Sequence, residues 1–176
     1  MYVKHIKNFQ CMNESLNYRI VIVSSDGHKF SPMQFDDLNF EKGFSSMMGI
    51  PKPYCQSKLA NILHGKELAK RLENTGISVY SLHPGMIITD IGRDMEKTNP
   101  RLNGIFKPML QFSCKTPFHG AQTTLYCCLE DKIEHESGYY YTSCAKVDPS
   151  RDAQNEEDAK KLWDISETLV GLKKNL

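Results

Sequence analysis

The stretch Arg19-Ile-Val-Ile-Val-Ser-Ser25 decides how this chain folds. An unbroken aliphatic run of this kind is typical of a parallel strand buried on both faces, and two serine hydroxyls follow at its carboxyl end. Further along, Gly76-Ile-Ser-Val-Tyr-Ser-Leu-His-Pro-Gly85 has the pattern of a second strand that its last two residues stop. Residues 54–72 predict a helix between the two. Strand, helix and strand make one βαβ unit, so the sequence predicts an α/β fold.

Tyr54 and Lys58 begin this helix and share one of its faces, because residues four apart lie about one turn from each other. An ammonium beside a phenol favours the phenolate, and bringing a free phenol from a pKa near 10 to neutral pH takes about 4 kcal/mol. A single Y-x-x-x-K is expected about once by chance, so its surroundings must support the interpretation. In parallel sheets ligands bind beyond the carboxyl ends of the strands, so we expect Ser25 and the segment after Gly85 to lie near each other.

Three motifs follow one another along this framework: Val23-Ser-Ser25, Tyr54-Cys-Gln-Ser-Lys-Leu-Ala-Asn-Ile-Leu63 and His83-Pro-Gly-Met-Ile-Ile-Thr89. Together they resemble the short-chain dehydrogenase/reductase family, specifically its retinol dehydrogenase-like branch, with the WW-domain-containing oxidoreductase as a close second. The likeness runs from about Arg19 to Leu172. It continues through Thr116-Pro-Phe-His-Gly-Ala-Gln-Thr-Thr-Leu-Tyr126, Ser137-Gly-Tyr-Tyr-Tyr141 and Leu162-Trp-Asp-Ile-Ser166.

The resemblance implies catalytic roles for three residues. Tyr54 would pass the proton, Lys58 would favour the phenolate and hold the nicotinamide ribose, and Ser25 would hold the substrate oxygen by a hydrogen bond. From the residues alone two alternatives stay open. Ser25 could close its strand by bonding to the next turn, and Lys58 could be an exposed helix lysine.

Cofactor-binding roles are implied for Tyr54 and Lys58 and for four residues that follow the second strand: Pro84, Gly85, Ile87 and Thr89. Pro84 and Gly85 would turn main-chain groups toward the nicotinamide carboxamide. Thr89 would open the next helix, where its hydroxyl and free amides hold a cofactor phosphate, and a plain N-cap is the alternative. The cofactor implied is NADP or NAD, with NADP slightly preferred. We expect no metal site.

The resemblance implies an NAD(P)-dependent oxidoreductase that transfers a hydride between the nicotinamide and an alcohol or aldehyde, a retinoid or another small lipophilic compound. The sequence contains no glycine-rich dinucleotide-binding turn. We therefore expect the carboxyl-terminal portion of a Rossmann-type doubly wound parallel sheet, lacking the amino-terminal glycine-rich strands. It would form a single partial domain over residues 1–176, divergent over 1–18 and family-like over 19–172. The alternative is a truncated, inactive fragment or a partner that docks on a full-length relative through a sheet edge; a homodimer is a third option.

Composition narrows the class of protein. A chain of 176 residues suits one domain, and its net charge of +1 gives no electrostatic basis for binding nucleic acid. No apolar run approaches the roughly 20 residues of a membrane span, and residues 1–10 carry no signal-peptide core. We therefore expect a cytoplasmic protein. The resemblance implies that a full-length form is associated with the endoplasmic reticulum membrane. Six cysteines without a C-x-x-C pair predict reduced thiols.

The remaining segments have weaker patterns. We expect a short helix over 1–18 and a long connection over 26–53. The resemblance implies that this connection borders the substrate entrance and that the apolar segment over 90–114 covers the substrate. The apolar residues of 90–114 are equally consistent with ordinary core contacts. Three side chains would anchor the long connection: Phe35, Leu38 and Phe40. His5 and His28 are expected to be solvated loop residues, and His83 to serve packing.

Near the carboxyl end, Thr116-Pro117 predicts the start of a helix over 117–129. Residues 138–141 predict a short aromatic strand, the last of the sheet. A final helix over 155–170, before a solvated Lys173-Lys174 tail, presents one apolar face: Ala159, Leu162, Trp163, Ser166 and Leu169.

Overall fold

A computed structural model describes residues 18–47, 50–87 and 115–172 of the chain. Its strands are β1 (Tyr18–Val23), β2 (Ser46–Met47), β3 (Ile50–Pro51), β4 (Ile77–His83), β5 (Tyr139–Thr142) and β6 (Ala145–Val147). Its helices are α1 (Lys52–Arg71), α2 (Pro117–Leu129) and α3 (Glu156–Leu169), with 3₁₀ turns at Asp26–Phe30, Asp131–Ile133 and Asp152–Gln154. The expected amino-terminal helix, the segment over 90–114 and the lysine tail lie outside the described residues, apart from Tyr18.

The main sheet has the strand order β1-β4-β5-β6. Strands β1 and β4 pair in parallel from Tyr18 opposite Ile77 to Val23 opposite Leu82, and β4 and β5 also pair in parallel. The helix α1 connects β1 to β4, so the predicted βαβ unit and the α/β fold class are confirmed. Strands β2 and β3 form a separate antiparallel pair within the long connection before α1.

The expectation that the strand over 138–141 is the last of the sheet is wrong, because β6 returns antiparallel beside β5. Ser143 and Cys144 make the turn between them with φ values of 50° and 58°. Positive φ at both central residues matches the twist of a two-residue hairpin, which usually carries asparagine or glycine there. Neither residue gives that signal, so the sequence did not reveal the turn.

The sheet is covered on both faces. On one face α1 and α3 pack in two clusters that include Leu63, Tyr140 and Leu162, and Leu68, Val79 and Trp163. On the other face α2 packs through Cys127 on Tyr80, Leu82 and Tyr141. Because successive strand residues point to opposite faces, β4 is buried nearly throughout, as expected for a doubly covered strand.

Helix α1 begins at Lys52, two residues before the predicted start. Pro53 is tolerated there because the first turn of a helix has no intrahelical acceptor for its amide groups. The helix has an apolar stripe that is buried: Leu59, Ile62, Leu63 and Leu68. Gly65 lets the helix approach the sheet closely, since a Cβ at that position would lie 2.5 Å from Ser81 Oγ.

The last two helices begin at side-chain caps. Thr116 accepts a hydrogen bond from the His119 amide at the start of α2, and Asn155 caps α3. The predicted bounds of α2 are confirmed. Of the face predicted for α3, Ala159, Leu162 and Trp163 are buried, but Leu169 is 76% exposed, because it lies at the edge of the stripe in the final turn.

Candidate active site

The carboxyl ends of β1 and β4 lie side by side. The Ser24 amide donates to the Leu82 carbonyl at 2.6 Å, which continues the ladder one residue beyond β1. Beyond it, Asp26 Oδ2 lies 3.5 Å from His83 Nε2. Ser25 and the segment after His83 therefore meet at one edge of the sheet, as the βαβ pattern predicted.

The two serines at the end of β1 have different partners. Ser24 is buried, and its hydroxyl donates to the Lys58 carbonyl at 2.6 Å. Ser25 is half-buried, and its Oγ accepts from the Gly27 amide at 3.1 Å as the N-cap of the turn Asp26–Phe30. Because this bond uses only a lone pair, the Ser25 hydroxyl keeps its own proton to donate.

Tyr54 stands in the first turn of α1 with 43% of its surface exposed, so its ring is not part of the core. Lys58 follows one turn later, and its Nζ lies 5.6 Å from the centroid of the Tyr54 ring. The same ammonium donates to the Val23 carbonyl at 3.4 Å. The spacing of four residues thus brings the ammonium beside the ring, as expected from helical geometry.

Gly27 contacts both the Ser25 hydroxyl and the Tyr54 ring. The sequence analysis did not predict this arrangement. A Cβ on Gly27 would lie 3.0 Å from Tyr54 Cε1 and 3.5 Å from Ser25 Oγ. The main chain of Gly27 therefore lies between the serine hydroxyl and the tyrosine ring. A glycine two residues after a strand-ending serine was the only signal for this contact.

Asn61 is a second residue that the sequence interpretation missed. Its Nδ2 donates at 3.1 Å to the Val23 carbonyl that also accepts from Lys58. Asn61 follows Lys58 by three residues, so the spacing Y-x-x-x-K-x-x-N on one helix face was the available signal. The end of β1 and the active face of α1 are thereby held together by a shared acceptor.

The expectation that His28 is solvated is wrong, because only 1% of its surface is exposed. Its Nδ1 lies 2.7 Å from the Ser25 carbonyl, and its Nε2 accepts from the Ser150 amide at 3.1 Å. The ring also packs edge-on against Tyr140. A contact with residue 150 could not be foreseen from a polar loop sequence. His5 lies outside the described residues.

Three titratable side chains lie together at this edge: Asp26, Lys29 and His83. Burial alone raises the pKa of Asp26, but the hydrogen bond from Lys29, at 2.7 Å, and the nearby His83 outweigh it and lower that pKa below its ordinary value. Burial lowers the pKa of His83, which Asp26 offsets only in part. At neutral pH the carboxylate is therefore ionised beside a neutral, buried imidazole, in keeping with the packing role predicted for His83.

The turn after β4 contains three of the residues predicted to bind cofactor. Gly85 has φ +96°, a conformation that favours glycine, and the stem of Lys115 packs over it. Pro84 is half-buried beside it. The Ile87 side chain packs on Gly120 of α2, where a Cβ would lie 2.2 Å from Ile87 Cδ1. Thr89 lies outside the described residues.

The cysteines and carboxylates of the described residues form neither a disulfide nor a metal site. The four described cysteines are free, and burial raises the pKa of Cys127 to about 12. Residues 18–47, 50–87 and 115–172 hold no cluster of three possible metal ligands. Among them no helix is both long and apolar enough to cross a bilayer.

Comparison with known proteins connects this geometry to a family. Human retinol dehydrogenase 14 is 38% identical over 183 residues, which cover 98% of this chain and 52% of that protein. Mouse retinol dehydrogenase 11 is 40% identical over 161 residues, covering 92% and 48%, and bovine retinol dehydrogenase 12 is 38% identical over 162 residues, covering 92% and 48%. Over most of its length the chain is similar to retinol dehydrogenases, which are short-chain dehydrogenases/reductases.

The chain spans about half the length of the curated relatives it matches. A crystal structure of an uncharacterized protein from Mycobacterium paratuberculosis is similar to it, with a TM-score of 0.62 and 27% identity. The match covers 98% of this chain and 58% of the mycobacterial one. No protein-family model matches the chain.

Proposed function

We propose that this chain carries the catalytic part of an NAD(P)-dependent oxidoreductase of the retinol dehydrogenase type. One observation supports the proposal above all. Ser25 and Tyr54 flank Gly27 at the carboxyl end of β1, and Lys58 lies beside the Tyr54 ring. A hydroxyl, an exposed phenol and an ammonium at the ligand-binding edge of a parallel sheet are suited to acid–base chemistry on a carbonyl or alcohol.

The turn after β4 fits a nicotinamide. Gly85 has no side chain of its own and a positive φ, and His83, two residues before it, lies 3.5 Å from Asp26, the neighbour of Ser25. Pro84, Gly85 and the main chain of Ile87 would hold the nicotinamide, and Tyr54 and Lys58 its ribose. A bound nicotinamide supplies or accepts the hydride. NADP is preferred slightly over NAD, and Thr89 is proposed as a phosphate contact.

Each of the three side chains has a proposed role. Tyr54 donates its phenolic proton to a carbonyl oxygen in reduction and accepts the hydroxyl proton in oxidation. The Lys58 ammonium, one turn away, stabilises the phenolate left after donation. Ser25 donates a hydrogen bond to the same substrate oxygen while the Gly27 amide holds its lone pair. The substrate proposed is a small lipophilic alcohol or aldehyde, a retinoid being the one that the relatives' names indicate.

The first experiment measures cofactor binding. Thermal unfolding of the purified chain is followed while NADP or NAD is added, because a ligand present at 100 times its Kd stabilises the folded state by about 2.7 kcal/mol. We expect the melting temperature to rise by a few degrees, more with NADP. Lys58→Met should abolish that rise, whereas Lys70→Met, an exposed change at the far end of α1, should leave it intact.

The second experiment measures turnover of a retinoid aldehyde by the loss of reduced-cofactor absorbance. We expect Tyr54→Phe to abolish turnover without changing the melting temperature, since the lost hydroxyl is exposed. Tyr139→Phe removes another exposed phenol and should change neither. Turnover that survives in Tyr54→Phe would contradict the assignment of the proton donor.

A second function has one observation in its favour. Within the described residues β1 pairs only with β4, which leaves its other edge open. An open strand edge presents unpaired amide and carbonyl groups to another chain. The chain would then be an inactive partner that docks on a full-length relative. Co-elution with full-length retinol dehydrogenase 14, without any response to NADP or NAD, would favour this function over the first.

A further inference from the structure

The two ring nitrogens of His28 have fixed and different roles. The Ser150 amide can only donate, so Nε2, at 3.1 Å from it, must be the acceptor. A neutral imidazole then carries its proton on Nδ1, which lies 2.7 Å from the Ser25 carbonyl and donates to it. Burial lowers the pKa of His28, in keeping with a neutral ring.

His28 connects two segments that are 122 residues apart in the sequence. Its ring packs edge-on against Tyr140 with the centroids 5.2 Å apart, and it is almost fully buried. The Ser25 carbonyl accepts both the His28 ring proton and, at 3.1 Å, the His28 amide. The main chain of Ser25 is therefore held to a side chain that Ser150 and the sheet keep in place.

We propose that His28 is a positioning residue of the active site. By holding the Ser25 carbonyl it keeps the turn Asp26–Phe30 closed, and that turn places two groups. One is the Ser25 hydroxyl, held by the Gly27 amide, and the other is Gly27 itself, which lies against the Tyr54 ring. The inference rests on the proposed function, since it concerns the same proton-transfer site. His28 touches neither the Tyr54 hydroxyl nor the substrate oxygen in this scheme.

Two substitutions separate the two hydrogen bonds of the ring. His28→Asn places an amide NH₂ near the position of Nδ1 and keeps the donor to the Ser25 carbonyl. His28→Gln places an amide oxygen near the position of Nε2 and keeps the acceptor for Ser150. Both lose one buried hydrogen bond and ring packing, so both should lower the melting temperature by several degrees.

The decisive measurement is the NMR chemical shift of the Tyr54 ring in the chain labelled with ¹³C-tyrosine. The signal is assigned by its loss in Tyr54→Phe. We expect His28→Gln to shift this signal and His28→Asn to leave it close to the parent position. His64→Asn, a histidine of α1 that stacks on Trp163, controls for lost stability and should not shift it. Equal shifts in the Asn and Gln variants, or none in either, would overturn the proposal.

Turnover gives the matching kinetic test. His28→Gln should lower kcat at least tenfold with little change in KM, and His28→Asn should restore most of the parent kcat. The tyrosine signal needs no turnover, so failure of the proposed function would leave this proposal independently testable. If neither variant folds, ¹⁵N signals of His28 in the parent chain decide: a proton on Nδ1 supports the proposal, and a proton on Nε2 overturns it.

Discussion

The main chain of Gly27 lies against the edge of the Tyr54 ring, so that a methyl group at position 27 would stand 3.0 Å from Tyr54 Cε1. We expect Gly27→Ala to push the ring by a few tenths of an ångström and to lower kcat about tenfold, because proton transfer depends on such placement. The melting temperature should change little, since the ring can yield toward solvent. Kinetics of the variant test this, with the exposed change Pro32→Ala as control. An unchanged kcat would show that the contact has no catalytic importance.

The two adjacent serines should separate stability from catalysis. Ser24→Ala removes the buried hydroxyl that donates to the Lys58 carbonyl and should lower the free energy of unfolding by about 0.5–1.5 kcal/mol. Ser25→Ala should cost less stability but lower kcat about a hundredfold, as expected for loss of a hydrogen bond to the reacting oxygen. Urea unfolding and steady-state kinetics of both variants decide. The reverse pattern would assign the substrate contact to Ser24.

Substitution of one glycine of helix α2 should destabilise the fold. A methyl group on Gly120 would lie 2.2 Å from Ile87 Cδ1, so Gly120→Ala must displace either the helix or the Ile87 side chain. We expect a loss of about 1–3 kcal/mol in the free energy of unfolding, typical of overpacking. Cofactor affinity should also fall, because Ile87 ends the turn that would hold the nicotinamide. Cys128→Ala, an exposed change on the same helix, should leave both quantities unchanged.

Stability should fall as the pH is lowered from about 6.5, the ordinary pKa of histidine. Burial lowers the pKa values of His28, His64 and His83, so below this pH the unfolded chain binds protons that the folded chain excludes. The stability that the three neutral histidines allow is fully present above about pH 6.5 and is lost progressively as the pH falls below that value. Urea unfolding between pH 7 and pH 5 measures the slope.

A single variant tests that assignment. His64→Phe keeps an aromatic ring on Trp163 and removes one of the three titrating groups, so the pH dependence should become less steep. Pro32→Ala, an exposed change that removes no imidazole, should leave the slope as it is. A slope unaffected by His64→Phe would mean that the folded chain protonates this ring as readily as the unfolded chain does.

The sequence predicted the main strands and helices because each of these elements is determined by residues close together in the chain. The aliphatic run of β1, the apolar stripe of α1 and the cap at Thr116 each depend on neighbours within a few residues, and the structure contains all three. The i, i+4 spacing likewise brought Lys58 beside the Tyr54 ring. What the sequence could not show are contacts between distant segments and turns without their usual residues.

His28 illustrates the first limit, because its burial depends on Ser150 and Tyr140, more than a hundred residues away. The turn at Ser143 and Cys144 illustrates the second, since neither residue favours positive φ. Leu169 shows a third, because an apolar residue in the last turn of a helix need not reach the core. In each case the local sequence gives no information about the contacts that the surrounding chain supplies.

The acceptor shared by Lys58 and Asn61 belongs to the backbone of Val23, whose own side chain is 44% exposed. The side chain at position 23 can therefore change without breaking the hydrogen bond from Lys58 to the main-chain carbonyl. A shift in backbone register would not be tolerated in the same way: one residue inserted into β1 would move the carbonyl away from both donors at once. We expect homologous chains to vary in residue type at this position and to keep the length of the strand.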